Sequence, residues 1–193
     1  MDVLVTRYVG IRGTAVLARE YHDDLLQRYP KWLIEEACQF DSDINSDFED
    51  KLLSDENIIY SKEYTEFGIF EALFQMSKEL KCGLRIYIKD IPIKQETVEM
   101  CEFTGVNPYA LYSGYSHVVV AKDGNAAVSF FEKNGIPATI VGTTTEDNDK
   151  IVINEDERGF LPHIRKDELK TKLGRRVYYE RTDSISAGEE QQN

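Results

Sequence analysis

The sequence is short of positive charge, of cysteine and of any long apolar run. Its 193 residues carry 23 Lys and Arg against 35 Asp and Glu, a formal charge of −12. Phosphate neutralisation needs a basic surface, so this balance excludes a dedicated nucleic-acid binder. It equally excludes a polybasic membrane anchor. No apolar stretch approaches the roughly 20 residues that cross a bilayer. The start, Met1-Asp2-Val3-Leu4-Val5-Thr6-Arg7, has neither the basic onset nor the apolar core of a secretory signal. The three cysteines, Cys38, Cys82 and Cys101, are odd in number and far apart. They read as reduced thiols of a cytoplasmic protein, and with no C-x-x-C pair they support neither a disulfide framework nor a zinc site. The histidines, His22, His117 and His163, have no neighbouring metal ligands, and no Ser-His-Asp or Cys-His set is recognisable, so the sequence assigns no catalytic residue.

What is present is an ordinary globular mix, 41% hydrophobic and 30% charged, long enough to bury one sizeable core. The acidity is local. Residues 35–57 hold nine acids against Lys51, a net of −8 out of −12. Within them Asp41, Asp43 and Asp47, with Asn45, repeat at the alternate spacing of a calcium loop. Ser46 stands where the turn glycine is wanted and Leu52 where the closing carboxylate is wanted, so these are weak metal candidates. The alternative is a solvated acidic stretch that starts a helix near Phe48, capped by Ser46 or Asp47.

Val3–Val9 reads as a strand, followed by a turn at Gly10-Ile11-Arg12-Gly13-Thr14 and a helix from Ala15 to about Gln27. Pro30 opens a helix from Lys31 to about Phe40, offering Trp32, Leu33, Ala37 and Phe40 for burial. Ile69, Leu73, Met76 and Leu80 recur at helical spacing and predict an amphipathic helix over about 68–81. Strands follow at Leu84–Lys89, Ser116–Ala121, Ala138–Gly142 and Ile151–Ile153, with helices at Gln95–Phe103 and Asn125–Asn134. Glu155-Asp156-Glu157-Arg158 reads as a helix start whose acids suit the macrodipole. This alternation predicts an α/β or α+β domain over residues 1–165, a mixed sheet with flanking helices. Residues 166–193 read as a polar, frayed tail.

Two places suggest ligand contact. Gly10, Gly13 and Thr14 follow a strand and open a helix, as a phosphate cradle does, although a pair of turn glycines is also an ordinary structural device. Ser113 and Gly114 offer a hydroxyl and an amide, or simply a turn into the next strand.

Several stretches together resemble the C-terminal domain of the aminoimidazole ribonucleotide (AIR) synthase-related superfamily. They are Gly105-Val106-Asn107-Pro108 through Ser113-Gly114, Thr65-Glu66-Phe67-Gly68-Ile69-Phe70-Glu71-Ala72-Leu73, the opening Gly10–Ala18, and Val141-Gly142 with Ile151–Ile153. Within the superfamily the resemblance points to the hydrogenase maturation factor branch, carbamoyl dehydratase-like enzymes that use ATP. It implies a ferredoxin-like β-α-β portion, and ATP with magnesium as family cofactors. The family's ATP-binding N-terminal domain finds no counterpart here, and the resemblance begins at the first residues. That implies a stand-alone or truncated C-terminal domain, not catalytic by itself, with no cofactor of its own. It would act with an ATP-binding domain or subunit, or as a homodimer. The rival readings are an enzyme part that keeps ligand contacts, and an acidic binding module built on 35–57.

The family's "H-D-x-T-x-G-G" loop reads Lys62-Glu63-Tyr64-Thr65-Glu66-Phe67-Gly68 here. Glu63, Thr65, Glu66 and Gly68 are therefore ligand-facing candidates. Phe67 replaces a glycine that would let backbone amides approach an anion. The alternative is a drifted loop in which Thr65 merely caps the following helix.

Overall fold

The structure, a computed structural model, describes residues 1–42, 55–64 and 66–174. Asp43, Asp47 and Thr65, the expected helix from Phe48 and residues 175–193 lie outside the described residues.

Seven strands form one mixed sheet in the order β2-β4-β1-β5-β3-β6-β7. They are β1 Asp2–Thr6, β2 Ile58–Glu63, β3 Gly83–Tyr87, β4 His117–Ala121, β5 Ala138–Thr145, β6 Lys150–Asn154 and β7 Glu157–Phe160. Every pairing is antiparallel except β3 with β6. The helices are α1 Ile11–Glu20, α2 His22–Leu25, α3 Lys31–Cys38, α4 Gly68–Leu80, α5 Gln95–Thr104, α6 Gly124–Lys133 and α7 Glu168–Leu173.

Strand β1 is central because it is apolar on both faces. Val3 and Val5 point to one side, where they join Val118, Val120, Leu84 and Ile86 beneath Ile69, Leu73 and Met76 of α4. Leu4 points to the other, with Val119, Ala127 and Phe131 of α6. This period-2 alternation fixes the register, since a one-residue slip would exchange the two faces. β4, α6 and β5 form the expected ferredoxin-like β-α-β unit, split by β1 between its two strands. A third cluster gathers α1, α3, α5 and α7 around Leu17, Ile34, Met100 and Leu169.

Several boundaries differ from expectation. β1 stops at Thr6 because Arg7 takes φ 58° and its N–H turns to Pro137 O. α1 begins at Ile11, so Gly13 and Thr14 sit inside its first turns, and it ends at Glu20, well before Gln27. Trp32 is 60% exposed, because its side of α3 faces away from the Leu33–Ile34–Ala37 contacts. Lys62 and Glu63 end strand β2 and belong to no loop. Glu155-Asp156 is the tip of a hairpin, with Glu155 at φ 54°, and Glu157–Arg158 pairs back on β6 instead of starting a helix. Past 165 the chain still folds over Glu168–Leu173, anchored by the buried Leu169.

Candidate functional site

Two strand-to-helix turns converge at one end of the sheet. The first leads from β1 into α1. Gly10, at φ 71°, lets the chain enter the helix. A helix leaves its first N–H groups without intrahelical partners. Here the Gly10 N–H donates to Ser113 Oγ at 2.6 Å and the Gly13 N–H to Tyr112 O at 2.8 Å. The Thr14 hydroxyl meets Gly10 O at 2.8 Å and Thr97 Oγ1 at 2.9 Å. A Cβ on Gly13 would fall 2.4 Å from Leu111 Cγ. The turn is therefore packed shut against residues 111–114, with Ser113 fully buried, and presents no open anion cradle.

The second turn leads from β2 into α4. Lys62, Glu63, Tyr64, Phe67, Gly68, Glu71, Ala72 and Gln75 line a cavity of about 250 Å³. The N-cap position of the helix is Phe67, which has no acceptor side chain. Gly68, at φ 67°, brings α4 against the Tyr109–Ala110 backbone, where a Cβ would sit 2.5 Å from Tyr109 O. The Lys62 ammonium reaches Glu79 Oε1 at 2.5 Å and the Tyr60 hydroxyl donates to Glu79 Oε2 at 2.8 Å. Those two contacts hold the Glu79 carboxyl below the usual range. Glu71 Oε1 accepts from Gln75 Nε2 at 2.5 Å and lies 3.3 Å from His163 Nε2. His163 stacks on Phe74 with ring centroids 4.3 Å apart.

Glu63 joins the two turns. Its Oε1 accepts the Tyr115 N–H at 2.8 Å. Gly114, at φ 65°, clears space for Arg12, whose guanidinium lies 5.3 Å from the rings of both Tyr112 and Tyr115 and donates to Tyr112 Oη at 3.0 Å. Burial raises the Tyr112 phenol, and Arg12 partly offsets that. Tyr64, fully buried, turns its hydroxyl toward Ser116 and Ser113 without reaching good hydrogen-bond geometry, and burial raises its pKa.

Gly10, Gly13, Thr14, Ser113 and Gly114 thus meet in the closed turn, and Glu63 and Gly68 in the open one. Glu66 stands half-buried between Glu63 and Phe67 in sequence. Asp41 is elsewhere, its carboxylate paired with Arg19. Among the described residues no three His, Cys, Asp or Glu are placed to hold a metal. Arg12, Tyr112, Tyr115, Glu71 and Gln75 were not among the expected site residues. Glu71 and Gln75 had a signal, an i,i+4 pair on the predicted helix beginning at Gly68. Arg12 and the tyrosines had only their places within the glycine and Ser113-Gly114 stretches.

Chemically, the open turn offers carboxylates and one carboxamide. The lining cation is already paired, so the cavity suits a donor-bearing group better than a polyphosphate.

The family model for the AIR synthase related protein, C-terminal domain, matches residues 48–154, more than half of the chain. The chain belongs to that family. No curated protein matches it in sequence. Among solved structures, it is similar to a chain of the HypE–HypF complex, with 20% identity and TM-score 0.64 over 83% of this chain and 52% of that one. It is similar to Escherichia coli HypE, a hydrogenase maturation protein, with 16% identity and TM-score 0.66 over 86% and 50%. It is also similar to hydrogenase maturation protein HypE solved with ATP, with 12% identity and TM-score 0.64 over 87% and 52%. The chain spans about half the length of these structures, and at such identities the likeness is one of fold. No helix among the described residues is long and apolar enough to cross a membrane.

Proposed function

We propose that this AIR synthase-related C-terminal domain is not catalytic by itself and completes a site with an ATP-binding domain or subunit, to which it presents the β2–α4 cavity. The observation that carries the reading is the contrast between the turns. The Gly10, Gly13 and Thr14 amides and the Thr14 hydroxyl are satisfied within the chain. Glu63, Phe67, Glu71 and Gln75 instead border a cavity.

ATP and magnesium, which the family resemblance implies, do not fit the described residues. Lys62 is paired with Glu79, the Gly10 and Gly13 amides are occupied, and two carboxylates line the cavity where a polyphosphate would need cations. The phosphates of a nucleotide therefore belong on the partner's side. Glu63, Glu66 and Gly68 face the interface, and Ser113 and Gly114 support it from behind. The HypE relatives, one of them solved with ATP, suggest hydrogenase maturation as the setting.

The purified chain should hydrolyse no ATP above a blank. Added to the N-terminal half of a HypE relative, it should form a complex in which the Glu63 and Gly68 amide signals shift. ATP hydrolysis by the chain alone would overturn the reading. Shifts confined to residues away from the cavity would remove the site from it.

A further inference from the structure

Strand β7 ends the sheet, and all four of its residues are exposed. Phe160 is 75% exposed, more than any other large hydrophobic side chain among the described residues. The opposite edge strand, β2, is interrupted by a register shift and tied to α4 through Tyr60, Lys62 and Glu79, devices that protect an edge. β7 is short and carries the charges of Glu157 and Arg158, but among the described residues it has neither a register shift nor a tie to a helix.

The register fixes which groups of β7 are available. Leu161 N–H donates to Lys150 O at 2.7 Å, and Val152 pairs with Gly159 and Asn154 with Glu157. Antiparallel ladders alternate between hydrogen-bonded and non-hydrogen-bonded pairs. The N–H and C=O groups of Arg158 and Phe160 therefore point away from β6, to the open edge.

The same register sorts the side chains by face. Arg85, Ile151 and Phe160 form one row across β3, β6 and β7, and Tyr87, Ile153 and Arg158 form the next. This face is opposite the one packed under α4, because Val152 and Ile86 take that side. α6 covers β1, β4 and β5 on this face, whereas Tyr87, Ile151, Ile153 and Phe160 belong to none of the buried clusters. The strip is apolar with two arginines; Asp147, in the turn after β5, lies close enough to Arg85 to feel its charge, and no carboxylate stands beside Arg158 at these strand positions. Arg158 makes no ion pair among the described residues.

We propose that the β7 edge receives an extended segment of a partner protein by strand addition, with a carboxylate beside Arg158 and an apolar side chain beside Phe160. Residues directly opposite Arg158 and Phe160 lie two apart on an added strand and share its face, so the pattern recognised is acid-x-apolar on a parallel strand or apolar-x-acid on an antiparallel one, both of which the probe below contains. Backbone hydrogen bonds to the free groups of Arg158 and Phe160 supply attachment, and the Arg158 pairing supplies selectivity. A second copy pairing by the same edge with Arg158 opposite Phe160 would supply no carboxylate to either arginine.

The probe is the synthetic peptide Thr-Val-Thr-Glu-Thr-Ile-Thr-Val, titrated into isotope-labelled chain. The Arg158 and Phe160 amide signals should shift and their hydrogen exchange should slow. Arg158→Glu should weaken binding roughly fivefold, and a peptide with Lys in place of Glu should restore it. Phe160→Lys, at so exposed a position, should leave the fold intact and abolish binding. No shift at these two amides, or binding indifferent to both substitutions, overturns the proposal. So does a chain that self-associates without peptide and becomes monomeric on Phe160→Lys, which would assign the edge to a second copy.

Discussion

The two turns at the end of the sheet are built alike and do different things. Each carries the chain from a strand into a helix, and each places a positive-φ glycine at the helix start, Gly10 for α1 and Gly68 for α4. Around Gly10 the nearest neighbours are the Thr97 and Leu111 side chains and Pro108 O, while Ser113 Oγ and Tyr112 O take up the Gly10 and Gly13 amides. Around Gly68 the nearest neighbour is the 109–110 backbone on one side, and on the other the wall opens into the cavity. A glycine-bearing strand-to-helix turn is therefore not in itself a ligand site. What decides is whether another part of the chain already supplies the acceptors.

The strongest test of that contrast is a methyl group at each turn. Gly68→Ala places a Cβ 2.5 Å from Tyr109 O and 2.7 Å from Ala110 C, against backbone that cannot rotate aside, at φ 67°. The loss should be about 3 kcal/mol in urea denaturation. Gly13→Ala meets Leu111 Cγ at 2.4 Å, but its neighbour is a side chain and the helix position gains from alanine. Its loss should be about 1–2 kcal/mol. Equal losses would mean that the two turns are equally rigid and would dissolve the distinction.

His117 sits between the turns, cross-strand from Glu63, with its N–H donating to Thr6 Oγ1 at 2.8 Å. Burial and the nearby Arg7 charge lower its pKa to about 4. The unfolded chain, with a histidine near 6.5, binds the extra proton first as pH falls. Stability is therefore fully present above about pH 6.5 and is lost between there and about pH 4. The full loss is about 3 kcal/mol, on the order of 2.5 pH units at about 1.4 kcal/mol per unit. His117→Gln should shift stability by a constant and remove that part of the slope. An unchanged slope between pH 7 and pH 4.5 would place the titration on other groups.

Much of the architecture was legible because it rests on periodicity. The apolar spacing of Ile69, Leu73 and Met76 predicts α4 to within a residue at its C-terminal end, and the β-branched runs predict β1 and β4. The β6–β7 hairpin was not, because Glu155-Asp156-Glu157-Arg158 has helix-start chemistry and its strand pairing is decided by Ile151–Ile153. α7 hangs on a single buried residue, Leu169, too little for a periodic signal. At the site, the altered Lys62–Gly68 stretch was visible, but the closure of the Gly10 turn was not. The acceptor that occupies the Gly10 amide lies 103 residues away, and no local pattern carries that information.

The smallest effects separate the turns most cleanly, because they compare one acceptor from each. Ser113→Ala deletes the oxygen that receives the Gly10 N–H in a fully buried position and leaves that donor unsatisfied. It should cost about 1–3 kcal/mol. Glu63→Gln keeps an oxygen for the Tyr115 N–H and removes only charge, beside the cavity. Its stability cost should be about 0.5 kcal/mol. Binding should reverse the order. With an ATP-binding partner domain present, Glu63→Gln should weaken the complex or its ligand while leaving the melting curve almost unmoved. Ser113→Ala should lower the melting temperature while leaving affinity near that of the parent chain at a temperature where both are folded. If calorimetric titration instead finds Ser113→Ala the more damaging to affinity, the closed turn opens on binding, and the anion-cradle reading of Gly10, Gly13 and Thr14 returns.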